Sequence, residues 1–286
     1  MKITLSKFAG FCDGVKRAYE MVLGIDMERV VKPVFALGSL VHNDEVNRKI
    51  EEKGIKKIER DDFFNAVTGQ IGTIIITAHG VGPDVYKIAM EKGIEVIDTT
   101  CPKVVKVQRL AKLFHEKEYR LVIIGDRDHK EVRGINEWGG GHAFVISEKK
   151  DLIDLESPSD QKIGVLSQTT QNEDFCREIY AVIVEKYKNV ETKKTTCDTT
   201  HSRQSEIKKM AKNNDVILVI GSKDSANSRR LWEISVSINS KSYFIETAKN
   251  IRKNWLKNIE KIGVTAGAST PPWIIQDVMK HLENNK

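Results

Sequence analysis

No apolar run in this 286-residue chain approaches the ~18 residues that cross a bilayer, so no membrane-spanning helix is expected. The N-terminus, MKITLSKFAGFCDG, lacks the apolar core and cleavage site of a secretory signal, and the expected location is the cytoplasm. Neither GxxxxGK[ST] nor GxGxxG occurs, which disfavours a nucleotide; the glycine-rich EWGGGH at 137–142 fits neither pattern. No CxxC pair exists, so a zinc ribbon and a thioredoxin-type motif are excluded. Aromatics are only 7% and do not interleave with basic residues, which counts against nucleic-acid binding by stacking.

The residues that are present describe a globular protein, with 40% hydrophobic and 30% charged residues. The net charge of +6 fits a lysine-rich solvated surface, an anionic ligand or an acidic protein partner. The basic residues are scattered and no nucleic-acid-binding motif accompanies them.

Three of the four cysteines, Cys12, Cys101 and Cys197, divide the chain into near-equal thirds, and TTC recurs at 99–101 and 195–197. Each follows a strand-like run and precedes a helix-like one, such as PKVVKVQRLAKLF with Val104, Val107, Leu110, Ala111 and Phe114 at helical spacing. Further apolar runs (VFALG, TIIIT, LVIIG, IGVLS, VILVIG, IGVTAG) alternate with helical stretches. That alternation predicts an α/β protein with mostly parallel sheets. The expected organisation is three similar small domains, 1–98, 99–194 and 195–286, in a pseudo-threefold arrangement around a common centre. Cys176, in NEDFCREI, lies outside the repeat and reads as a partly buried helix residue.

Ligands of open α/β sheets bind beyond the carboxyl ends of the strands. The polar residues there are His42, His79, His129 with Glu131, Thr169, Ser225 with Asn227, and Ser269. Taken singly, each is compatible with capping or an ordinary surface role; together they suit a small polyanion such as phosphate. A cysteine at a helix start is expected to be pushed towards thiolate by unpaired N–H groups. Three convergent thiolates would form a metal site, and soft sulfur ligands leave zinc and iron–sulfur both open.

The motifs GFCDGVKRA, GSLVHN, AHGV, DTTCPKV, GDRDHKEVRG, SQTTQ, TTCDTTHSRQ, GSKDSANSRRL and TAGASTPPW occur in this order over nearly the whole chain. In this the sequence resembles the 4-hydroxy-3-methylbut-2-enyl diphosphate reductase family. The resemblance implies three α/β domains around a [4Fe–4S] cluster held by Cys12, Cys101 and Cys197, one iron being left for the substrate hydroxyl. It further implies diphosphate binding by His42, His79, His129, Ser225, Asn227 and Ser269, a hydroxyl-positioning Thr169 and a proton-donating Glu131. The implied activity is reductive dehydroxylation of the allylic diphosphate to isopentenyl and dimethylallyl diphosphate, with electrons from a carrier such as ferredoxin or flavodoxin. GSKDSANS departs from the expected GSKNSSNS: Ala226 has no hydroxyl, and Asp224 adds a negative charge. The competing readings are a zinc hydrolase and an RNA-associated binding protein with a structural metal.

Overall fold

The structure, a computed structural model, describes residues 1–156 and 160–284. It contains three four-stranded, wholly parallel sheets. Their strands are β1 (Lys2–Leu5), β2 (Val34–Leu37), β3 (Lys56–Ile58), β4 (Thr73–Ile76), β5 (Glu95–Asp98), β6 (Arg120–Ile124), β7 (Phe144–Ile146), β8 (Ile163–Ser167), β9 (Val190–Thr192), β10 (Val216–Ile220), β11 (Ser242–Ile245) and β12 (Lys261–Ala266). The orders are β3-β2-β4-β5, β7-β6-β8-β9 and β11-β10-β12-β1.

Sequence and burial agree strand by strand. The inner strands β4, β8 and β10 are buried along their whole length, as continuous apolar runs covered on both faces should be. The outer strand β3 reads KKI and leaves both lysines exposed, which keeps an open sheet edge from pairing with another chain. Between strands, the helix Pro102–Glu116 buries Val104, Val107, Ala111 and Phe114, the i, i+3, i+7 and i+10 positions of one face. The glycines of EWGGGH end the helix Lys130–Trp138; Gly140 and Gly141 have φ of +90° and +84°, a left-handed region that stops a helix. Cys176 lies in the core of the β6–β9 sheet.

The three sheets share one topology, but their boundaries are shifted relative to the cysteines. The chain runs β2 to β5 and then Cys101, β6 to β9 and then Cys197, and β10 to β12. The fourth strand of the last sheet is β1, from the other end of the chain, and Cys12 follows it. Lys2 through Leu5 register against Lys261 through Val264. Residues 2–5 therefore build the C-terminal sheet, not the N-terminal sheet in which the thirds 1–98, 99–194 and 195–286 place them. The repeat, closed on itself, is one strand out of step with the ends of the polypeptide.

The chain divides into two compact units. The first comprises Met1–Lys16, Val41–Val46 and Cys197–Lys286, and contains the β1/β10–β12 sheet. The second comprises Arg17–Leu40 and Asn47–Thr196, and contains the other two sheets. Inside the second unit, Trp138 Nε1 and Gln108 Nε2 both donate to the Val81 carbonyl, at 2.9 and 3.3 Å. These bonds fix the loop after β4 against the two helices that follow Cys101 and His129. Among the described residues, no helix is long and apolar enough to cross a membrane.

Candidate functional site

In the first unit, Cys12 directly precedes the helix Asp13–Leu23, and its Sγ accepts from the Val15 N–H at 3.5 Å. Cys197 caps the helix Asp198–Asn213 and accepts from the Thr200 N–H at 3.3 Å, with the Thr200 hydroxyl 3.1 Å away. Both sulfurs thus meet the third N–H of a helix start. In the second unit, Cys101 occupies the cap of Pro102–Glu116, with Pro102 at the first position, where no N–H is required. Its backbone is fixed by Cys101 N–H to Ala78 O (3.0 Å). The TTC repeat has a structural cause. Thr99 donates to the last carbonyl of β4, Ile76, at 2.6 Å, and Thr195 donates to the last carbonyl of β8, Ser167, at 2.6 Å. A hydroxyl two residues before the cysteine thus bonds the last carbonyl of a strand in both repeats.

The expectation that a helix start lowers the thiol pKa fails at Cys12. Burial raises it, and the Val15 N–H and the Arg203 cation only partly offset that rise, while Cys197 adds to it. Desolvation outweighs the helix end, so a thiolate there requires a further positive charge, which a coordinated metal supplies.

Arg203, which the sequence reading did not single out, lies between the segments that carry Cys12 and Cys197. It is buried, and its guanidinium donates to Ala266 O (2.8 Å) and Gly10 O (2.6 Å), while its Nε has no partner. A buried cation acting on the sulfurs of Cys12 and Cys197, neither of which is in a disulfide, fits an anionic sulfur-ligated metal group. Thr200 was likewise missed. Its signal was its place three residues after a capping cysteine.

Three more expected residues of the first unit meet where β10 and β12 end. Ser225 caps the helix Ala226–Val236 by accepting from the Ser228 N–H (3.3 Å). Its Oγ also accepts from the Ser269 hydroxyl at 3.3 Å. Asn227, in the first turn, is buried with its amide nitrogen unpartnered. Hydroxyls, an amide donor and helix N–H groups are a donor set of the kind that suits an anion. Gly267 permits this crowding, since a Cβ there would lie 1.9 Å from Ser228 Oγ. Ala226 is buried at the first helical position, whereas Asp224 is exposed to solvent. His42 lies in the segment Val41–Val46, which Trp273 Nε1 anchors through Glu45 at 2.6 Å.

In the second unit, Glu131 is 2% exposed. Its carboxylate accepts from the Thr169 N–H at 2.6 Å and from the Thr169 hydroxyl at 2.9 Å. Burial pushes its pKa up to about 7, and the two bonds from Thr169 pull against that rise. A carboxyl titrating near neutrality can act as a general acid. His129 caps the helix that carries Glu131, its Nδ1 accepting the Glu131 N–H at 3.1 Å. The ring proton of neutral His129 therefore resides on Nε2, which makes that atom a donor. His79 and His129 pack edge to face, with ring centroids 5.4 Å apart. His79 is placed by the turn at Gly80, whose φ of +70° is a left-handed conformation that favours glycine.

The LytB protein family model matches residues 3–283. A curated relative from Pelobacter propionicus, 4-hydroxy-3-methylbut-2-enyl diphosphate reductase, is 39% identical over 100% of this chain and 99% of its own. The solved E-1-hydroxy-2-methyl-but-2-enyl-4-diphosphate reductase of Plasmodium falciparum superposes with a TM-score of 0.89 at 30% identity, covering 99% of this chain and 87% of that one. A second solved structure, of (E)-4-hydroxy-3-methyl-but-2-enyl diphosphate reductase, gives a TM-score of 0.69 at 32% identity, over 99% and 100%. With the whole length matched in sequence and in fold, the chain belongs to the LytB family of 4-hydroxy-3-methylbut-2-enyl diphosphate reductases.

Proposed function

We propose that this protein reduces 4-hydroxy-3-methylbut-2-enyl diphosphate to isopentenyl and dimethylallyl diphosphate. The observation that carries the reading is the buried Glu131–Thr169 pair, a carboxyl pushed up to near neutral pH and hydrogen-bonded to a hydroxyl. Replacing C–OH by C–H consumes two electrons and two protons and releases water. Glu131 in its acid form supplies one proton through the Thr169 hydroxyl to the departing substrate hydroxyl. The second proton goes to carbon, and which end of the allylic unit receives it decides the product. Cys12, Cys101 and Cys197 would hold a [4Fe–4S] cluster, which when bound supplies one-electron transfer and an iron open to a Lewis base.

The remaining residues bind and orient the diphosphate. Asn227 donates from its orphan amide nitrogen, Ser225 and Ser269 offer hydroxyls, and the start of Ala226–Val236 offers N–H groups. His42, His79 and His129 serve the same anion, His129 donating from Nε2. Asp224, being exposed, does not oppose this charge.

Electrons come from an acidic carrier of the ferredoxin or flavodoxin class. The helix that Cys101 caps carries Lys103, Lys106, Arg109 and Lys112 before its single acid, Glu116. A groove of about 540 Å³ beside it is lined by three basic residues, Arg17, Lys106 and Arg109, against one acid, Asp98, with Leu113 and with Thr100 and Pro102, the two neighbours of Cys101. Basic residues around an apolar floor suit an acidic partner.

The test is anaerobic purification followed by turnover of the hydroxy-diphosphate with a chemical reductant. A brown protein with about four irons and four sulfides per chain, yielding both products, is expected. A colourless protein holding stoichiometric zinc, inactive with reductant, overturns the reading in favour of a hydrolytic metal site.

A further inference from the structure

Arg203 is placed unusually for a buried arginine. It sits six residues beyond Cys197 on the same helix and is 4% exposed. Side chains on a helix lean towards its N-terminus, so the guanidinium is directed back to the end that Cys197 caps. Its two terminal nitrogens grip carbonyls on different segments. One is Ala266 O, at the end of β12, and the other is Gly10 O, two residues before Cys12. The Cys12 N–H in turn donates to Ala268 O at 3.3 Å, so the same strand end supports the loop twice.

A buried guanidinium needs an anion. No carboxylate forms an ion pair with Arg203 among the described residues. Of the groups that act on it electrostatically, Cys12 and Cys197 come first, ahead of Glu206 and Asp13. Carbonyl oxygens satisfy its hydrogen bonds without neutralising its charge, and an anionic group held by the Cys12 and Cys197 sulfurs would add its charge to those of the Glu206 and Asp13 carboxylates.

Building on the iron–sulfur reading above, we propose that Arg203 is a positioning residue for the cluster: its fork locks the Cys12 loop to the Cys197 helix, and its fixed charge favours the reduced state. Reduction adds one negative charge to the cluster, and a nearby buried cation stabilises that state more than the oxidised one. Lysine preserves the charge and loses the fork; glutamine preserves much of the shape and one donor group but loses the charge.

The experiment compares the anaerobically purified holoenzyme with Arg203→Lys and Arg203→Gln. Iron and sulfide per chain and the midpoint potential, followed by electron paramagnetic resonance, are the readouts. Arg203→Gln is expected to disfavour reduction about tenfold, a downward shift of about 59 mV for one electron. Arg203→Lys should keep the parental potential while loading less iron. Loaded variants that both show the parental potential, or both shift equally, overturn the charge assignment. If Arg203→Gln holds no cluster, loading by Arg203→Lys supports the proposal; an equally empty but folded Arg203→Lys overturns it. A parent protein without iron–sulfur would instead remove the functional reading on which this rests.

Discussion

At the residue scale, the proposed acid is Glu131, whose environment sets its proton. Glu131→Gln keeps both bonds to Thr169 possible, since the amide oxygen accepts the N–H and the amide nitrogen donates to the hydroxyl. Turnover should fall roughly 10²–10⁴-fold with KM little changed, measured with a chemical reductant. An acid titrating at about 7 must be protonated to act, so the wild-type rate should decline above neutral pH. The hydroxyl of Thr169 lowers that pKa; Thr169→Val should move the alkaline limb to higher pH as well as slowing the reaction. The sign for stability is the same. The folded pKa lies above the usual carboxyl value, so the contribution of Glu131 is complete below about pH 4.5. It is lost as pH rises through about 7, a change of about 3 kcal/mol. Asn227→Ala is a separate case: removing an unpartnered buried amide should raise KM for the diphosphate while leaving the apo-protein melting temperature nearly unchanged.

At the element scale, the helix behind Cys101 has two faces with different tasks. Val104, Val107, Ala111 and Phe114 are buried, while Lys106 and Arg109 point their charge into the groove. Lys106→Glu with Arg109→Glu should leave dithionite-driven turnover unchanged. The same pair should lower carrier-driven turnover several-fold and reduce its dependence on salt. These elements also show what a sequence can reveal. Helical spacing found the Cys101 helix, and continuous apolar runs found β4, β8 and β10, because burial imposes its period on composition. The three-residue β3, with two exposed lysines, carries no such signature. Around the proposed site, apolar runs located the strand ends that precede His79 and Ser269. Arg203 was not legible, because its place depends on carbonyls about 60 and 190 residues away along the chain. The acidity of Cys12 was misjudged for a related reason: a helix start is local, but burial is set by the whole unit.

At the scale of the whole molecule, the cysteine spacing correctly announced a threefold repeat and misplaced its phase. Spacing counts residues between thiols, whereas sheet membership depends on pairing, and β1 pairs with β12. Deleting residues 1–5 should therefore weaken the C-terminal sheet, not the N-terminal one. Denaturant unfolding followed by amide exchange should show protection lost first in β12 and β10, with cluster content falling because the Cys12 loop loses its anchor.

Lys2 and Lys261 are register partners at opposite ends of the polypeptide. During synthesis, β1 must wait for a partner made roughly 260 residues later, on the order of 10–50 s at ordinary elongation rates. The middle of the chain can complete both of its sheets in that interval. The last sheet, and with it the loop of Cys12, closes only at the end. A product truncated before β12 would thus carry a finished Glu131–Thr169 pair and a Cys12 loop without its sheet.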